Sequence, residues 1–157
     1  MMYYLSFSLS IACISWLVGI IVNSVVSKAP FYQARLYHLN FISNEKVNRL
    51  LGLGVFKWLI LHSFFKYLNP KLSIHKRISV SELGDYRVEM TKAELNHLFA
   101  FSFMAIFIGI KIFQQHYLFA VSMLLVNILM NLFPSLLQQQ NKRRIDQYLH
   151  ILKQRSS

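Results

Sequence analysis

The stretch Leu98-Phe-Ala-Phe-Ser-Phe-Met-Ala-Ile-Phe-Ile-Gly-Ile-Lys-Ile-Phe113, followed after Gln114-Gln-His116 by a second apolar run from Tyr117 to Leu137, decides the fold. A hydrocarbon core takes about 20 helical residues to cross. Two such runs joined by a link of roughly Lys111 to His116 must return on each other as an antiparallel pair of helices. Working outward, Tyr3 to Val26 is a third run of spanning length, and Leu50 to Leu68 a fourth apolar segment. The fourth differs in carrying Lys57, His62 and Lys66. A lysine near the centre of an isolated spanning helix costs roughly 3 kcal/mol.

Composition agrees with a membrane setting. Of 157 residues, 55% are hydrophobic and 15% charged, with a mean hydropathy of +0.39, which excludes an ordinary soluble globule. Thirteen Phe and eight Tyr exclude intrinsic disorder, and a single cysteine excludes a disulfide scaffold. That cysteine, Cys13, lies within the first apolar run. No positive charge precedes Lys28, and Ser10 stands where a lipoprotein acceptor needs an aliphatic residue. Tyr3 to Val26 is therefore expected to be a retained spanning helix and not a cleaved signal.

Charge placement sets the topology. Lys and Arg total 17 against 6 Asp and Glu, for a formal charge of +11. If Leu50 to Leu68 spanned, Lys28, Arg35, Lys46 and Arg49 would lie opposite Lys71, Lys76, Arg77, Arg87 and Lys92, an even split that the positive-inside bias disfavours. If it lies in the headgroup plane with snorkelling lysines, residues 28–97 hold eleven of the basic residues on one side. Five more, Lys142, Arg143, Arg144, Lys153 and Arg155, follow Leu137. The expected fold is all-α and a single domain: three transmembrane helices at about 3–26, 98–113 and 117–137, with interfacial amphipathic helices. It sits in the cell (inner) membrane with its N-terminus outside and a basic cytoplasmic tail at 141–157. Asn69-Pro70 reads as a turn and Ser81 to Asp85 as a loop. Ile145, Leu149 and Leu152, at helical spacing among basic residues, make the tail an amphipathic helix suited to anionic lipid.

Ionisable groups at the edge of a span mark function or pairing. Glu94 and His97, three residues apart, share a helix face. A carboxylate that orients an imidazole raises its basicity, which suits a general base near neutral pH; an interfacial ion pair anchoring the helix end fits the spacing equally. Glu-x-x-His is also half of a di-iron motif, but the second copy is missing, and Asp146 with His150 lies beyond the last span, so no metal is expected. No Gly-rich phosphate loop, Gly-x-Ser-x-Gly elbow or Cys-x-x-Cys occurs, and no cofactor is implied. On the last span Asn127, Asn131, Pro134 and Gln138 are spaced by four, three and four. Such a stripe faces protein; its amides either glue helices together or, with the carbonyl that Pro134 frees, floor a polar pocket beside His97.

Glu89-Met-Thr-Lys-Ala-Glu-Leu-Asn-His97 resembles the Glu…Lys-Ala-Glu-Leu-x-His segment of the glycosyl-4,4'-diaponeurosporenoate acyltransferases, bacterial membrane proteins of staphyloxanthin-type carotenoid biosynthesis. Asn131-Leu-Phe-Pro134-Ser-Leu-Leu-Gln138-Gln-Gln-Asn141-Lys-Arg-Arg144-Ile is similar to that family's Asn-x-Tyr-Pro-x-x-x-Gln-Arg-Tyr-Asn-Arg-x-Arg-Leu run. Leu149 to Arg155, Trp16-Leu17 and the segment around Lys57-Trp58 extend the resemblance over most of the chain. Gln139 and Gln140 depart from it, replacing an Arg-Tyr pair.

The resemblance implies transfer of a fatty acyl group from an activated thioester, on acyl-CoA or acyl carrier protein, to a sugar hydroxyl of a glycosylated carotenoid. By position it implies a role for Glu94 and His97 in catalysis and for Glu89, Asn131, Gln138, Asn141 and Arg144 in binding. His97, oriented by Glu94, would deprotonate the acceptor, while Asn131 or Gln138 would donate to the thioester carbonyl. Arg144 and the basic tail would attract the anionic carrier. The partners are the lipid bilayer, donor and acceptor, with no nucleic acid. Two other readings stay open: another glycolipid or lipid alcohol as acceptor, and a non-catalytic membrane subunit.

Overall fold

The computed structural model describes residues 2–42, 44–50, 52–62 and 80–155, and all the regular structure among them is helical. In chain order the elements are α1 (Met2–Val26), a π-helical turn at Tyr32–Leu36, α2 (Glu45–Leu50), α3 (Leu53–Leu61), α4 (Val80–Phe113), α5 (Tyr117–Asn127), a second π-helical turn at Ile128–Leu132, and α6 (Phe133–Arg155). α5, the second π turn and α6 continue as one helix. The protein thus has three helices long and apolar enough to cross a membrane.

α4 is central and touches α1, α5 and α6. Lipid tails are as apolar as leucine, so membrane helices associate through close packing and polar contacts. α1 supplies both: its buried stripe is Ser8, Ala12, Ser15, Gly19 and Asn23, all small or amide. A Cβ at Gly19 would lie 2.2 Å from the Asn96 carbonyl oxygen, so only glycine permits this crossing. One turn on, Asn23 Nδ2 donates to Asn96 Oδ1 at 2.7 Å and to the Lys92 carbonyl at 3.2 Å. Leu17, Ile20, Ile21, Ile106, Leu118 and Leu125 point outward, as lipid contact requires.

The hairpin expected between the last two spans forms. α4 ends at Phe113 and α5 begins at Tyr117, with Gln115 in the left-handed region (φ 61). Beneath it lies an apolar cluster of Ala12, Met104, Ile108, Phe119, Ala120, Met123 and Val126. Phe119 stacks on Tyr4 at 4.6 Å between centroids and meets Tyr3 and Phe7 edge-on.

Three local expectations change. Ser81 to Asp85 is the first part of α4, not a loop. The 98–113 run is accordingly the C-terminal half of a 34-residue helix. Nor does the tail lie apart on lipid: it prolongs α6 back along α4, where Ile145, Leu149 and Leu152 pack on Leu83, Tyr86 and Met90. Arg87 reinforces this arm by pairing with Asp146 at 2.5 Å while its guanidinium covers Tyr37 at 4.4 Å. That apolar contact explains why a polar sequence continues as helix on both sides.

The Leu50 to Leu68 segment is broken at Gly52, which takes the left-handed conformation (φ 74), so α2 and α3 are separate helices. α3 rests on α6 through Leu53, Phe56 and Ile60 against Leu136, Leu137 and Phe133, and leaves Val55, Trp58 and Leu59 exposed. Residues 63–68, the Asn69-Pro70 turn and Lys71, Lys76 and Arg77 lie outside the described residues.

Candidate functional site

The polar side chains gather where α1, α4 and α6 meet, and they stack in three layers. The first is built around a fault in the last helix. The N–H of Phe133 bonds the Ile128 carbonyl, five residues back, and makes the π turn. In α-helical register the donor to the Met130 carbonyl would be residue 134, but proline has no N–H. Trp16 Nε1 takes that place, donating to the Met130 carbonyl at 3.3 Å and to Asn131 Oδ1 at 3.0 Å. Asn131 Nδ2 donates to Ser15 Oγ at 3.2 Å and to Asn127 Oδ1 at 2.9 Å, and Asn127 Nδ2 to the Phe101 carbonyl at 3.1 Å. Asn131 is fully buried and fully committed. It is thus placed to hold the scaffold and not to donate to a thioester carbonyl.

The layer farthest from the hairpin is ionic. Glu94, completely buried, receives Lys142 Nζ on Oε2 at 2.5 Å and Gln139 Nε2 on Oε1 at 2.9 Å. Lys142 also donates to the Leu39 carbonyl at 2.7 Å, and Gln139 Oε1 accepts the Ile42 N–H at 3.1 Å. Arg143 adds bonds to the Ile42 carbonyl and to Asn40 Oδ1. The layer ties α4, α6 and the 39–42 segment together. Burying a charge is tolerable only with such pairing and saturation. The carboxylate is turned to α6, and no hydrogen bond joins it to His97, so the expected Glu94–His97 pair does not form.

Between these layers lies His97. Its ring stands edge-to-face with Trp16 at 6.4 Å and lies against Asn131. Nδ1 is buried and has no hydrogen-bond partner among the described residues. On α6 the residues from Asn131 to Lys142 are bracketed by the contacts to His97 and Glu94, which puts Ser135 and Gln138 at the same level. Ser135 Oγ, Gln138 Oε1 and Asn141 Nδ2 are likewise unpaired. An unmet buried polar group costs about 1–3 kcal/mol, so a layer of four sets this level apart from the saturated ones above and below.

The other site expectations separate. Glu89 is on the exposed side of α4, outside the layers. Arg144 is exposed on α6 and faces Lys57 of α3, whose ammonium is pushed down by burial and further by that guanidinium. Asp146, weighed above as a metal ligand, is held by Arg87. Ser15, Ser135, Gln139 and Lys142 are absent from the sequence-derived site. The 131-135-138-142 periodicity was a usable signal for Ser135 and Lys142; Ser15 is one serine among several in an apolar span, and Gln139 stands only as a departure.

A family model described as glycosyl-4,4'-diaponeurosporenoate acyltransferase matches residues 28–151. Comparison with curated proteins and with solved structures gives no match. The matched stretch runs from just after α1 through most of α6 and holds every polar layer residue except Ser15 and Trp16. The chain belongs to this family and is a membrane acyltransferase of carotenoid biosynthesis.

Proposed function

We propose that the protein moves a fatty acyl group from a thioester, on acyl-CoA or acyl carrier protein, to a sugar hydroxyl of a glycosylated carotenoid, with His97 as general base. The observation that carries this reading is the buried, unpaired Nδ1 of His97 in a layer of unmatched polar groups. His97 takes the proton of the acceptor hydroxyl as its oxygen attacks the thioester carbonyl. The C–S bond breaks, and the imidazolium returns the proton to the departing thiolate, giving ester and free thiol carrier. Asn131 and Trp16 fix the ring; Glu94, through Lys142 and Gln139, sets the spacing of α4 and α6 around it.

Arg144 and Lys57, neighbouring cations on α6 and α3, attract the anionic carrier. This places them, residues 28–97 and the C-terminus in the cytoplasm, with the N-terminus outside the cell membrane, in keeping with the basic excess there.

His97→Asn keeps a polar group of similar volume. Acylated product, measured by mass spectrometry in a host supplying the glycosylated acceptor, is expected to fall by roughly 10² to 10⁴ at unchanged membrane abundance. Full activity in this variant would remove the general-base assignment.

A further inference from the structure

Ser135, Gln138 and Asn141 follow one another at intervals of three and so form a single ridge along α6. Each carries one unpaired buried polar atom: a hydroxyl, an amide oxygen and an amide N–H group. Ser135 and Gln138 are 0% and 4% exposed, so water does not meet these needs from the surface. Ring and ridge are held in place by saturated contacts on either side, Trp16 and Asn131 towards the hairpin, Glu94 and Lys142 away from it. His97 itself is only half-buried, which leaves the layer an open edge.

The chemistry of the four groups is mixed. Gln138 Oε1 only accepts, Asn141 Nδ2 only donates, and Ser135 Oγ and the imidazole do either. A phosphate or carboxylate would leave Gln138 Oε1 unmet, and an apolar chain would leave all four so. A group of neighbouring hydroxyls, each both donor and acceptor, satisfies them together. We infer that the Ser135–Gln138–Asn141 ridge, facing His97, binds the polyhydroxylated ring of the acceptor and selects a glycoside over a simple alcohol. This rests on the acyl-transfer reading and deepens it: the hydroxyl at His97 is the one acylated, and its neighbours on the ring are held by the ridge. It also turns Gln138 from a donor to the thioester into an acceptor for the sugar.

The test compares dodecyl glucoside with dodecanol as acceptors for the protein in lipid nanodiscs, with palmitoyl-CoA as donor. The wild type is expected to prefer the glucoside by about 10-fold or more in kcat/KM, because a site built for hydroxyls rejects a substrate lacking them. Gln138→Leu and Asn141→Leu are each expected to remove most of that preference. A preference left intact in both variants, or none in the wild type, overturns the proposal. If the wild type acylates neither compound, the failure belongs to the acyl-transfer reading, and binding decides the ridge. Trp16 fluorescence in a Trp58→Phe background should then report dodecyl glucoside binding that dodecanol does not match and Gln138→Leu weakens about 10-fold. Equal binding of the two compounds, or no weakening, overturns it there as well.

Discussion

The two ends of the three-helix bundle are held by opposite means. Near the hairpin, Phe119, Met104, Met123 and the Tyr4 ring fit by shape, with no charged pair inside. Farther along the same helices, Glu94, Gln139 and Lys142 are buried with every oxygen of the carboxylate occupied. An apolar contact degrades gradually as atoms are removed, whereas a buried ionic contact fails when either partner goes. The polar end also holds the only layer described above whose groups are not matched to each other. It is specified more sharply than the hairpin end, and it alone keeps binding capacity in reserve.

The comparison is broken most severely at Lys142. Lys142→Met leaves Glu94 buried without its cation, and stability measured by unfolding in mixed detergent–SDS micelles should fall by about 3–5 kcal/mol. Adding Glu94→Gln to that variant should recover much of the loss, because the uncompensated charge is gone; a double variant as unstable as the single one would mean the lysine acts through packing. Next comes the junction of the two ends. Trp16→Phe keeps an aromatic ring but leaves the Met130 carbonyl without its donor, and should cost about 1–2 kcal/mol by the same measurement. The smallest effect is expected at the hairpin end, where Phe119→Leu exchanges one apolar shape for another and should cost about 1 kcal/mol. A loss at Phe119 larger than at Lys142 would reverse the contrast.

Much of the fold is legible in the sequence because hydropathy measures what lipid demands, and residues 2–26, 98–113 and 117–137 all fall within spanning helices. What hydropathy misses is where a helix continues past the apolar run. Ser81 to Asp85 and the basic tail are each polar enough to read as a loop or a surface helix. They become one arm because Leu83, Met90 and Ile145 find each other across more than 50 residues. The site divides in the same manner. His97, Gln138 and the amide stripe are visible from local spacing and the family motif. The partner of Glu94 is not, since the i+3 neighbour His97 satisfies the spacing as well as Lys142, and only tertiary packing decides between them. Gln139, a departure from the family run, proves to bridge Glu94 and the Ile42 backbone.

The π turn at Ile128–Leu132 bears on how this chain tolerates change in its length. The wide turn holds one residue more than regular winding needs, and it lies between the membrane-deep half of the last helix and the half that presents Gln138, Lys142 and Ile145. Loss of one residue there would let the helix wind regularly and rotate everything downstream by about 100°. The ridge, the ionic layer and the arm would all leave α4 at once. Point substitutions within 128–132 can be absorbed locally, but an insertion or deletion changes the phase of a quarter of the molecule, so this short segment acts as the angular setting of the last helix.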